Sequence, residues 1–563
     1  MYAVGVPNAS AVLVERGVIA WVGDESGASA LARGAGAVDE TVALDGRLVT
    51  PAFVDAHVHL TATGLAAVSP DLSGIRSARQ LLDAVAARAR TLPAGEVVLG
   101  LGWDDATWDE PGRLPTRSQL ATASGGRPVF LGRVDVHSAL VTARPPGEPS
   151  RQSHPAGAGG GDSGAGTDDA LVAWEDRPGA VTLPRLLSAL LSRRGRQDLL
   201  VGALDAAAAA GIASLHEMAA PQLADIDDLA LLDELGALLR PGDPDTGPPV
   251  SGLAGERAGP ADTARPLVVA WWGQHAADGG IEAALAAGAS GCGGDLCIDG
   301  SLGSRTAALL EPYRDSGGLG VLQLGPDEIA EHVLACARAG LRTGFHLIGD
   351  GAATAVADGL DRAAAVIGTG AVAATAPRLE HAEMVPRHLM APLAALGANA
   401  SVQPAFATTW GRSGGMYEQR LGPTRASGMN AFADMAAAGM PMALGSDAPV
   451  TPLAGWSAVR DATAHPVPRQ ALGARAAFAA ATRGGWRAAG RPAAGRLAVG
   501  SAAHLAVWDV VGGWEDATPD TRVARWSTDP ASGVSPLPAL GADLPLPVCR
   551  GLLVGGRRAG RWA

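Results

Sequence analysis

The sequence predicts an α/β protein whose main part is a (β/α)8 barrel. From about Val201 onward, short apolar runs alternate with Ala-rich helical stretches, which is typical of a parallel sheet whose strands are joined by helices. With an apolar run at residues 54–60 these runs number eight, the strand count of such a barrel. Both chain ends are also rich in short β runs, which predicts one small β domain assembled from the two termini; two separate β appendages are the alternative.

The composition is that of a large globular protein. A chain of 563 residues is too long for one core, so we expect two or three domains, and 47% hydrophobic residues suffice to fill them. A net charge of −13 argues against nucleic acid as a partner. The sequence predicts no signal peptide, no membrane span and, with four cysteines, no disulfide framework. We therefore expect a cytoplasmic protein that acts on a small molecule, with a homodimer as an open option.

The chain contains no lysine, so all 44 residues counted as lysine or arginine are arginine. This excludes a lysine Schiff base, a Walker A lysine and a carboxylated lysine that bridges two metal ions. A compositional bias toward Ala, Gly and Arg explains the absence without a functional cause.

The predicted elements follow one another with few gaps. A capping-box pattern at Ser77 starts a helix in a mixed α/β segment, and the stretches 156–166 and 241–266 resemble surface loops or insertions. Terminal strands are predicted at residues 11–14, 18–22, 41–44, 495–497, 504–508 and 551–554. Barrel strands are predicted at 54–60, 211–217, 267–272, 295–300, 343–346, 378–381, 399–404 and 442–447, with helices at 326–339 and 352–367 among the connections.

Polar residues recur at the carboxyl ends of these strands, where barrel active sites lie. His57 and His59 project from one face of the first strand, because residues i and i+2 of a strand point the same way. Strands five, six and eight end in His346, His381 and Asp447. A single histidine here is more often structural, but burying this many polar groups costs roughly several kcal/mol unless something satisfies them. A metal ion would do so.

These residues lie in motifs that resemble the amidohydrolase superfamily of metal-dependent hydrolases (amidohydrolase family 3), in its N-substituted formamide deformylase-like, or YtcJ-like, branch. The resemblance covers nearly the whole chain. The motifs are residues 51–59, 102–104, 114–117, 299–307, 346–350, 378–381 and 445–449.

The resemblance implies an architecture and a metal site. The barrel would comprise residues 51–62 and 195–492, a small β-sandwich residues 1–50 and 493–563, and an α/β domain inserted after strand one residues 63–194. The implied metal ligands are His57, His59, His346, His381 and Asp447. We expect zinc, and favour one ion held by His57, His59 and His346 beside Asp447; a second ion that shares His381 is the alternative.

The chain departs from the family pattern at three places. The usual bridging lysine of strand four is replaced by Asp295, whose side chain we expect to be too short to bridge two ions; Cys297, on the same predicted strand face, or Glu217 could substitute. The usual Asp-Gly-His of the inserted domain reads Asp135-Val136-His137, and the usual Ala-Asp-Leu near the C-terminus has His504 at its centre. We expect the last two changes to affect packing only.

The expected reaction is hydrolysis of a non-peptide C–N bond, of linear amide or formamide type, by a metal-activated water. Zinc with three protein ligands keeps a position for water and lowers its pKa to about 7. Asp447 would act as general base and then as acid, unless it only caps a strand-to-helix turn. His381, if it is not a ligand, would hydrogen-bond the oxyanion.

Five further residues are candidates for substrate binding. His216 and Glu217 end strand two and are predicted to face the same mouth. Trp103 and His137 could form a lid or simply hold the inserted domain together. Arg305 could bind a substrate carboxylate or form a structural ion pair.

Two other functions stay open at this point. A mononuclear aminohydrolase, or deaminase, would release ammonia from a cyclic substrate, and analysis of the products would separate it from an amide hydrolase. A non-catalytic barrel that has lost its metal would be recognised by metal analysis.

Overall fold

The computed structural model describes residues 1–3, 6, 9–34, 38–93, 95–105, 108–110, 113–133, 138–142, 171–173, 190–247, 264–515, 537–560 and 562. The chain divides into two compact units. The first comprises Met1–His59, Leu204–Ala220 and Leu229–Ala563, and the second comprises Leu60–Ala203 and Pro221–Asp228. The predicted limits of the three domains stay a prediction.

Eight parallel strands form the main sheet of the first unit, in the order in which they occur along the chain. Backbone bridging between Val58 and Ala448 brings the first strand beside the last, so that the sheet is nearly closed into a barrel. The predicted α/β fold with a TIM barrel is confirmed. The strands are β1 (Phe53–Val58), β2 (Ile212–Ala219), β3 (Leu267–Trp272), β4 (Gly291–Cys292), β5 (Arg342–Leu347), β6 (Arg378–His381), β7 (Asn399–Val402) and β8 (Met442–Leu444).

The residues of the barrel strands and helices favour the structures that they form. All residues of β3 are buried, as expected of a parallel strand covered on both faces. The helix Pro326–Ala339 has proline in its first turn with Asp327 and Glu328, and it ends at Gly340 in the left-handed conformation. Other helices of this unit are Glu25–Gly34, Gly280–Ala286, Asp350–Ile367, Thr369–Ala374, Arg387–Ala395, Pro404–Trp410, Met416–Leu421, Pro423–Ala426, Phe432–Ala437, Trp456–Thr463, Ala474–Ala479 and Gly485–Ala488.

The fourth strand lies earlier in the chain than predicted. β4 ends at Cys292, and residues 295–300 are not a strand. Gly293 and Gly294, with φ of 125° and 76°, end the strand by turning the backbone. Of the predicted strand at 295–300, one parallel bridge from Cys297 to His346 of β5 is present. The run is apolar because Leu296 and Ile298 are buried in a loop.

The two termini contribute to one sheet. Leu48–Pro51 pairs antiparallel with Leu505–Asp509, which pairs in turn with Val548–Val554, and Arg557–Ala559 completes the four strands. Ala11–Glu15 and Val18–Gly23 form a separate hairpin. The predicted strands at 41–44 and 495–497 were wrong; Leu44 and Leu497 are apolar because they pack into the core beside this sheet.

The second unit is a mixed α/β structure. Its sheet has the order Val98–Trp103, Val129–Arg133, Ser138–Val141, Leu171–Ala173, with the first pair parallel and the others antiparallel. Ser77 caps the helix Ala78–Thr91 as its side chain accepts from Gln80 N, which confirms the predicted capping. The remaining helices are Leu60–Val68 and Arg117–Ala123, while Arg193–Ala209 and Ile226–Glu234 cross the boundary of the units.

Among the helices of the described residues, none combines the length and the apolar character that crossing a membrane requires.

Candidate metal centre and active site

The site is built where the first and last barrel strands meet. The Asp447 amide donates to the His57 carbonyl at 2.8 Å, and the His59 amide donates to the Ala448 carbonyl at 2.9 Å. Beneath them the buried Asp55 carboxylate accepts from the Ser446 amide at 2.8 Å. Burial raises the pKa of Asp55 to about 6 even though these backbone N–H groups favour its ionised form. These bonds lock the loop after β8 onto β1.

Five of the sequence-predicted residues converge with Asp295. Nε2 of His57 and of His59 lie 3.5 and 3.1 Å from Asp447 Oδ1, and each lies 3.3 Å from Asp295 Oδ2. On the other side of Asp295, its Oδ1 lies 3.6 Å from His346 Nδ1 and 3.6 Å from His381 Nε2. Within the described residues, these ligand atoms form three overlapping groups: His57 and His59 with Asp295, His57 and His381 with Asp447, and His346 and His381 with Asp295. The expected trio of His57, His59 and His346 around one ion stays a prediction.

Three of these imidazoles are oriented by a contact at the outer ring nitrogen, the one that faces away from Asp295. His57 Nδ1 faces Glu380 Oε2 at 2.8 Å, His346 Nε2 faces the Gly300 carbonyl at 3.3 Å, and His381 Nδ1 faces Gln403 Oε1 at 2.9 Å. Oxygen atoms of these kinds only accept, so each outer nitrogen carries the proton and donates it. In the neutral ring the inner nitrogen then presents a lone pair, which is the arrangement of a metal-binding histidine.

Buried polar atoms that have no hydrogen-bond partner show whether a cation fits this site. His57 Nε2, Asp295 Oδ1 and Asp447 Oδ1 are buried and have no hydrogen-bond partner among the described residues. Buried polar atoms are nearly always paired, so each such atom calls for a partner. Each of the three atoms belongs to a residue of the ligand groups, and imidazole nitrogens with carboxylate oxygens are donors that zinc accepts. The residues fit a divalent metal.

The charges of the pocket are strongly coupled. Burial opposes a charged imidazole, but Asp295 and Asp447 outweigh it and raise the pKa of His57 well above its usual value when no cation is bound. Burial likewise opposes ionisation of Asp295, yet the neighbouring histidines hold the pKa of this carboxyl well below its usual range. The two aspartates therefore stay ionised and supply negative charge to the site.

Two of the converging residues adopt an unusual backbone conformation. His381 and Asp447 have φ of 66° and 57°, in the left-handed region that favours glycine. Such conformations persist where the surroundings impose them, which is common at functional sites. The turn after β8 is capped by Ser446 Oγ, which accepts from the Ala448 amide, so the Asp447 carboxylate is not used as the cap.

A buried ion pair between Arg378 and Glu380 lies beside the histidines of the site. Arg378 donates through Nε to Glu380 Oε1, through Nη1 to His216 Nδ1 and through Nη2 to Ser401 Oγ, and it lies over the ring of Trp271. Sequence reasoning gave no role to Arg378, Glu380 or Gln403. The available signal was position: Arg378 and Glu380 lie two residues apart on β6, immediately before His381.

The remaining predicted site residues are placed elsewhere or differently. His216 is fully buried beside Arg378, and burial together with that guanidinium lowers its pKa well below the usual value. Arg305 forms the ion pair that was its alternative role, with Nη2 2.9 Å from Asp315 Oδ2. Trp103 is buried in the second unit and donates to the Leu131 carbonyl. His137 lies outside the described residues.

The two proposed substitutes for the lysine are not in the metal-ligand groups. Neither Glu217 nor Cys297 belongs to a group of ligand atoms within the described part of the chain. Asp299, from the same predicted strand, accepts backbone N–H groups from Ala308, Ile348 and Gly349. Asp299 is thus a structural link between loops, and Asp295 alone of the two aspartates faces the histidines.

A second group of ligand-type side chains lies apart from this site. Cys292, His332 and Cys336 are buried close together. His332 Nδ1 already accepts from the Ala276 amide and Nε2 faces the Cys292 carbonyl, so neither ring nitrogen is free for a metal. We regard this group as core packing.

A nearly closed parallel barrel that gathers histidines and aspartates at the carboxyl ends of its strands defines a hydrolase of the metal-dependent barrel class. Comparison with known proteins makes the assignment specific. Residues 40–557 match the model of the amidohydrolase family (Amidohydro_3), and the chain belongs to that family.

Relatives of known name agree with this assignment. The chain is 28% identical to YtcJ of Bacillus subtilis (strain 168), a protein assigned as an amidohydrolase, over 74% of this chain and 73% of the relative. It is 33% identical to the N-substituted formamide deformylase of Arthrobacter pascens, but only over 24% of each chain. A metal-dependent hydrolase of Pyrococcus furiosus shares the fold, with a TM-score of 0.67 and 23% identity over 88% of this chain and 94% of that one.

Proposed function

We propose that the chain hydrolyses a non-peptide C–N bond of the linear amide or formamide type and depends on a divalent metal for this activity. The observation that carries the proposal is the convergence of four histidines, His57, His59, His346 and His381, on Asp295 and Asp447. The partial likeness to an N-substituted formamide deformylase supports the linear substrate.

The residues proposed to hold the metal are His57, His59, His346, His381 and Asp447. The donor set favours zinc, which when bound would lower the pKa of water and polarise a carbonyl oxygen. Asp447 acts as general base: its carboxylate accepts the proton of the attacking water and then passes it to the leaving nitrogen. Asp447 suits this role because its side chain is still 9% exposed and its turn is capped by Ser446.

The test combines metal analysis with a substrate panel. Purified chain loaded with zinc is assayed on formamides and N-acyl amines, and both products are identified. We expect an acid plus an amine, and loss of activity after EDTA that zinc restores. Ammonia released from a cyclic substrate would replace this proposal by a deaminase, and a chain that binds no metal and turns over nothing would be a non-catalytic barrel.

A matched pair of variants tests whether Asp447 is the general base. Asp447→Asn removes the proton acceptor and is expected to lower kcat by about 10²–10⁴-fold. Asp327→Asn changes an exposed aspartate on a distant helix in the same way and should leave kcat unchanged. Equal rates for the two variants would refute the assignment of Asp447.

A further inference from the structure

A buried glutamate in the loop after β6 has no partner of opposite charge among the described residues. Glu383 is 4% exposed, and its Oε2 accepts the hydroxyl proton of Tyr417 at 2.5 Å. Its Oε1 accepts no hydrogen bond, and no arginine or histidine forms an ion pair with the carboxyl group, within the part of the chain that the structure describes. Acidic residues are almost never buried this deeply unless they are paired. Glu383 therefore calls for a partner that these residues do not supply.

The backbone holds Glu383 on the side of the proposed metal centre. It follows His381 by two residues, and both His381 and Ala382 are in the left-handed region, with φ of 66° and 48°. The Ala382 amide donates to the carbonyl of Leu347, the last residue of β5, at 3.1 Å, which fixes this turn against the neighbouring strand. The charge of His346 acts on the Glu383 carboxyl group, so the two lie within electrostatic reach of each other.

Aromatic side chains form a row that leads from the metal centre to Glu383. The Phe406 ring is stacked on the His381 ring, with centroids 6.1 Å apart and planes at 5°. The Trp410 ring lies 4.6 Å from Phe406 and 6.3 Å from Tyr417. Tyr417, the last ring of the row, is the residue that donates to Glu383.

The surroundings of this row are apolar. Tyr417 belongs to a core cluster against which Met384, Trp410 and Met416 pack, and all four residues follow β6 or β7 at the carboxyl end of the barrel. The faces of aromatic rings attract a cation. A carboxylate accepts the N–H groups of an ammonium ion in strong, charge-assisted hydrogen bonds. Aromatic faces beside one carboxylate are thus the components of an ammonium-binding site.

We propose that Glu383, with the rings of Trp410 and Tyr417, binds an ammonium group that the substrate carries on the substituent of its amide nitrogen. The inference rests on the proposed function and names its substrate class, the formamides of alkyl diamines. A formyl group has no place for a charge, so the charge belongs to the nitrogen substituent. Tyr417 also acts as a positioning residue, because its hydroxyl holds Oε2 and leaves Oε1 for the ligand.

Two substrates that differ in one charge test this subsite. Zinc-loaded wild type, Glu383→Gln and the control Glu331→Gln, at an exposed position of the helix Pro326–Ala339, are assayed on N-(4-aminobutyl)formamide and its neutral isostere N-pentylformamide. Wild type and the control should favour the charged substrate at least about 10-fold in kcat/KM, chiefly through KM. Glu383→Gln should lose that preference, with circular dichroism as the check on folding.

A second variant keeps the proposal testable if Glu383→Gln does not fold. Glu383→Asp retains the charge on a side chain one methylene shorter, so the preferred substrate should change from the aminobutyl to a longer aminoalkyl homologue. An unchanged chain-length optimum in this variant would contradict direct contact between Glu383 and the ammonium group.

The outcomes separate this inference from the proposed function. Equal kcat/KM for the two substrates in wild type, or a preference that persists in folded Glu383→Gln, would overturn the subsite and leave an amide hydrolase. If no amide is hydrolysed, the proposed function fails, and calorimetry with n-butylammonium then decides the subsite on its own. Affinity that falls at least about 10-fold in Glu383→Gln supports it, and equal affinity or no binding to wild type overturns it.

Discussion

Glu380 shows how one buried residue can orient a proposed metal ligand, His57, through the ring nitrogen that faces away from the site. Its Oε2 receives the proton of His57 Nδ1 at 2.8 Å and so directs Nε2 toward Asp295 and Asp447. A carboxylate in this place also makes the imidazole a stronger donor. Glu380 is therefore a positioning residue and not a catalytic one.

Glu380→Gln tests that role at the level of metal affinity. A neutral amide orients the ring less firmly and leaves it less basic, so zinc affinity should fall by about 10–100-fold. Competition with a chromophoric chelator measures the affinity directly, and Asp327→Asn serves as the exposed control. An affinity equal to that of wild type would mean that Glu380 matters only for packing.

Replacement of Arg378 is expected to change the stability of the fold. The arginine is buried with Glu380, so Arg378→Leu leaves an interior carboxylate whose remaining partner is His57, and it should lower the free energy of unfolding by about 3–5 kcal/mol. Denaturant titration of EDTA-treated protein measures this without the contribution of metal. Arg362→Leu breaks an ion pair that is half exposed and should cost at most about 1 kcal/mol. Similar losses in both variants would contradict a special role for the buried pair.

At the scale of residues, sequence reasoning identified side chains that the fold brings together, but not how they group. His57, His59, His346, His381 and Asp447 could be recognised because each follows an apolar run. Asp295 was judged too short to bridge because its side chain is shorter than that of the lysine it replaces, and that judgement stays a prediction. Side-chain reach depends on where the backbone lies, and no sequence pattern gave that position.

At the scale of elements, the turn after β4 is the feature on which the pocket depends. A Cβ on Gly293 would lie 2.2 Å from the Gly344 carbonyl oxygen and 2.5 Å from its amide nitrogen, both of them backbone atoms of the neighbouring strand. No side chain can move aside to relieve that collision. The φ of 125° adds a conformation that other residues rarely adopt.

Gly293→Ala should therefore destabilise the protein and displace Asp295. We expect a loss of at least about 3 kcal/mol in the free energy of unfolding, together with lower zinc content after saturation. Gly317→Ala is the matched control, since its φ is also positive but its Cβ would meet nothing within 4 Å, and it should cost about 1–2 kcal/mol. Equal effects would show that backbone strain, and not the contact with Gly344, decides the outcome.

Element prediction failed where an apolar run was buried without being a strand. The runs at 41–44, 295–300 and 495–497 have the composition of strands, yet they are loops: Leu44 and Leu497 pack into one core cluster, and Leu296 is buried. Seven of the eight barrel strands could be predicted at their observed places because helical stretches alternate with them along the chain. Periodicity across many elements was informative, whereas a single short run was not.

At the scale of the whole molecule, His504 links stability to pH. It is buried as the neutral ring, with Nδ1 accepting from the Gly555 amide and Nε2 donating to the Asp245 carbonyl. Burial lowers its pKa to about 4 from an ordinary value of 6.5. Between these values the unfolded chain binds the proton and the folded chain does not, so stability is complete above about pH 6.5 and falls as the pH drops toward 4.

The prediction is a difference between two pH profiles. From pH 7 to pH 4, wild type should lose about 3 kcal/mol more unfolding free energy than His504→Gln, which keeps a donor and an acceptor but does not titrate. Denaturant titrations at several pH values measure this difference. His388→Gln, at an exposed position, should follow the wild-type profile. Parallel profiles for wild type and His504→Gln would contradict the account.

The neighbouring placement of β1 and β8 has a consequence for biosynthesis. Asp55 is bonded to Ser446, which lies 391 positions later in the chain, and the ribosome delivers those two segments at widely separated times. Until translation reaches β8, the edge of β1 that will meet it stays open, and His57 and His59 lack Asp447. Ion capture by the complete pocket must therefore come late, after the last barrel strand has emerged, and a chain truncated before that strand would present imidazoles without the aspartate that completes their pocket.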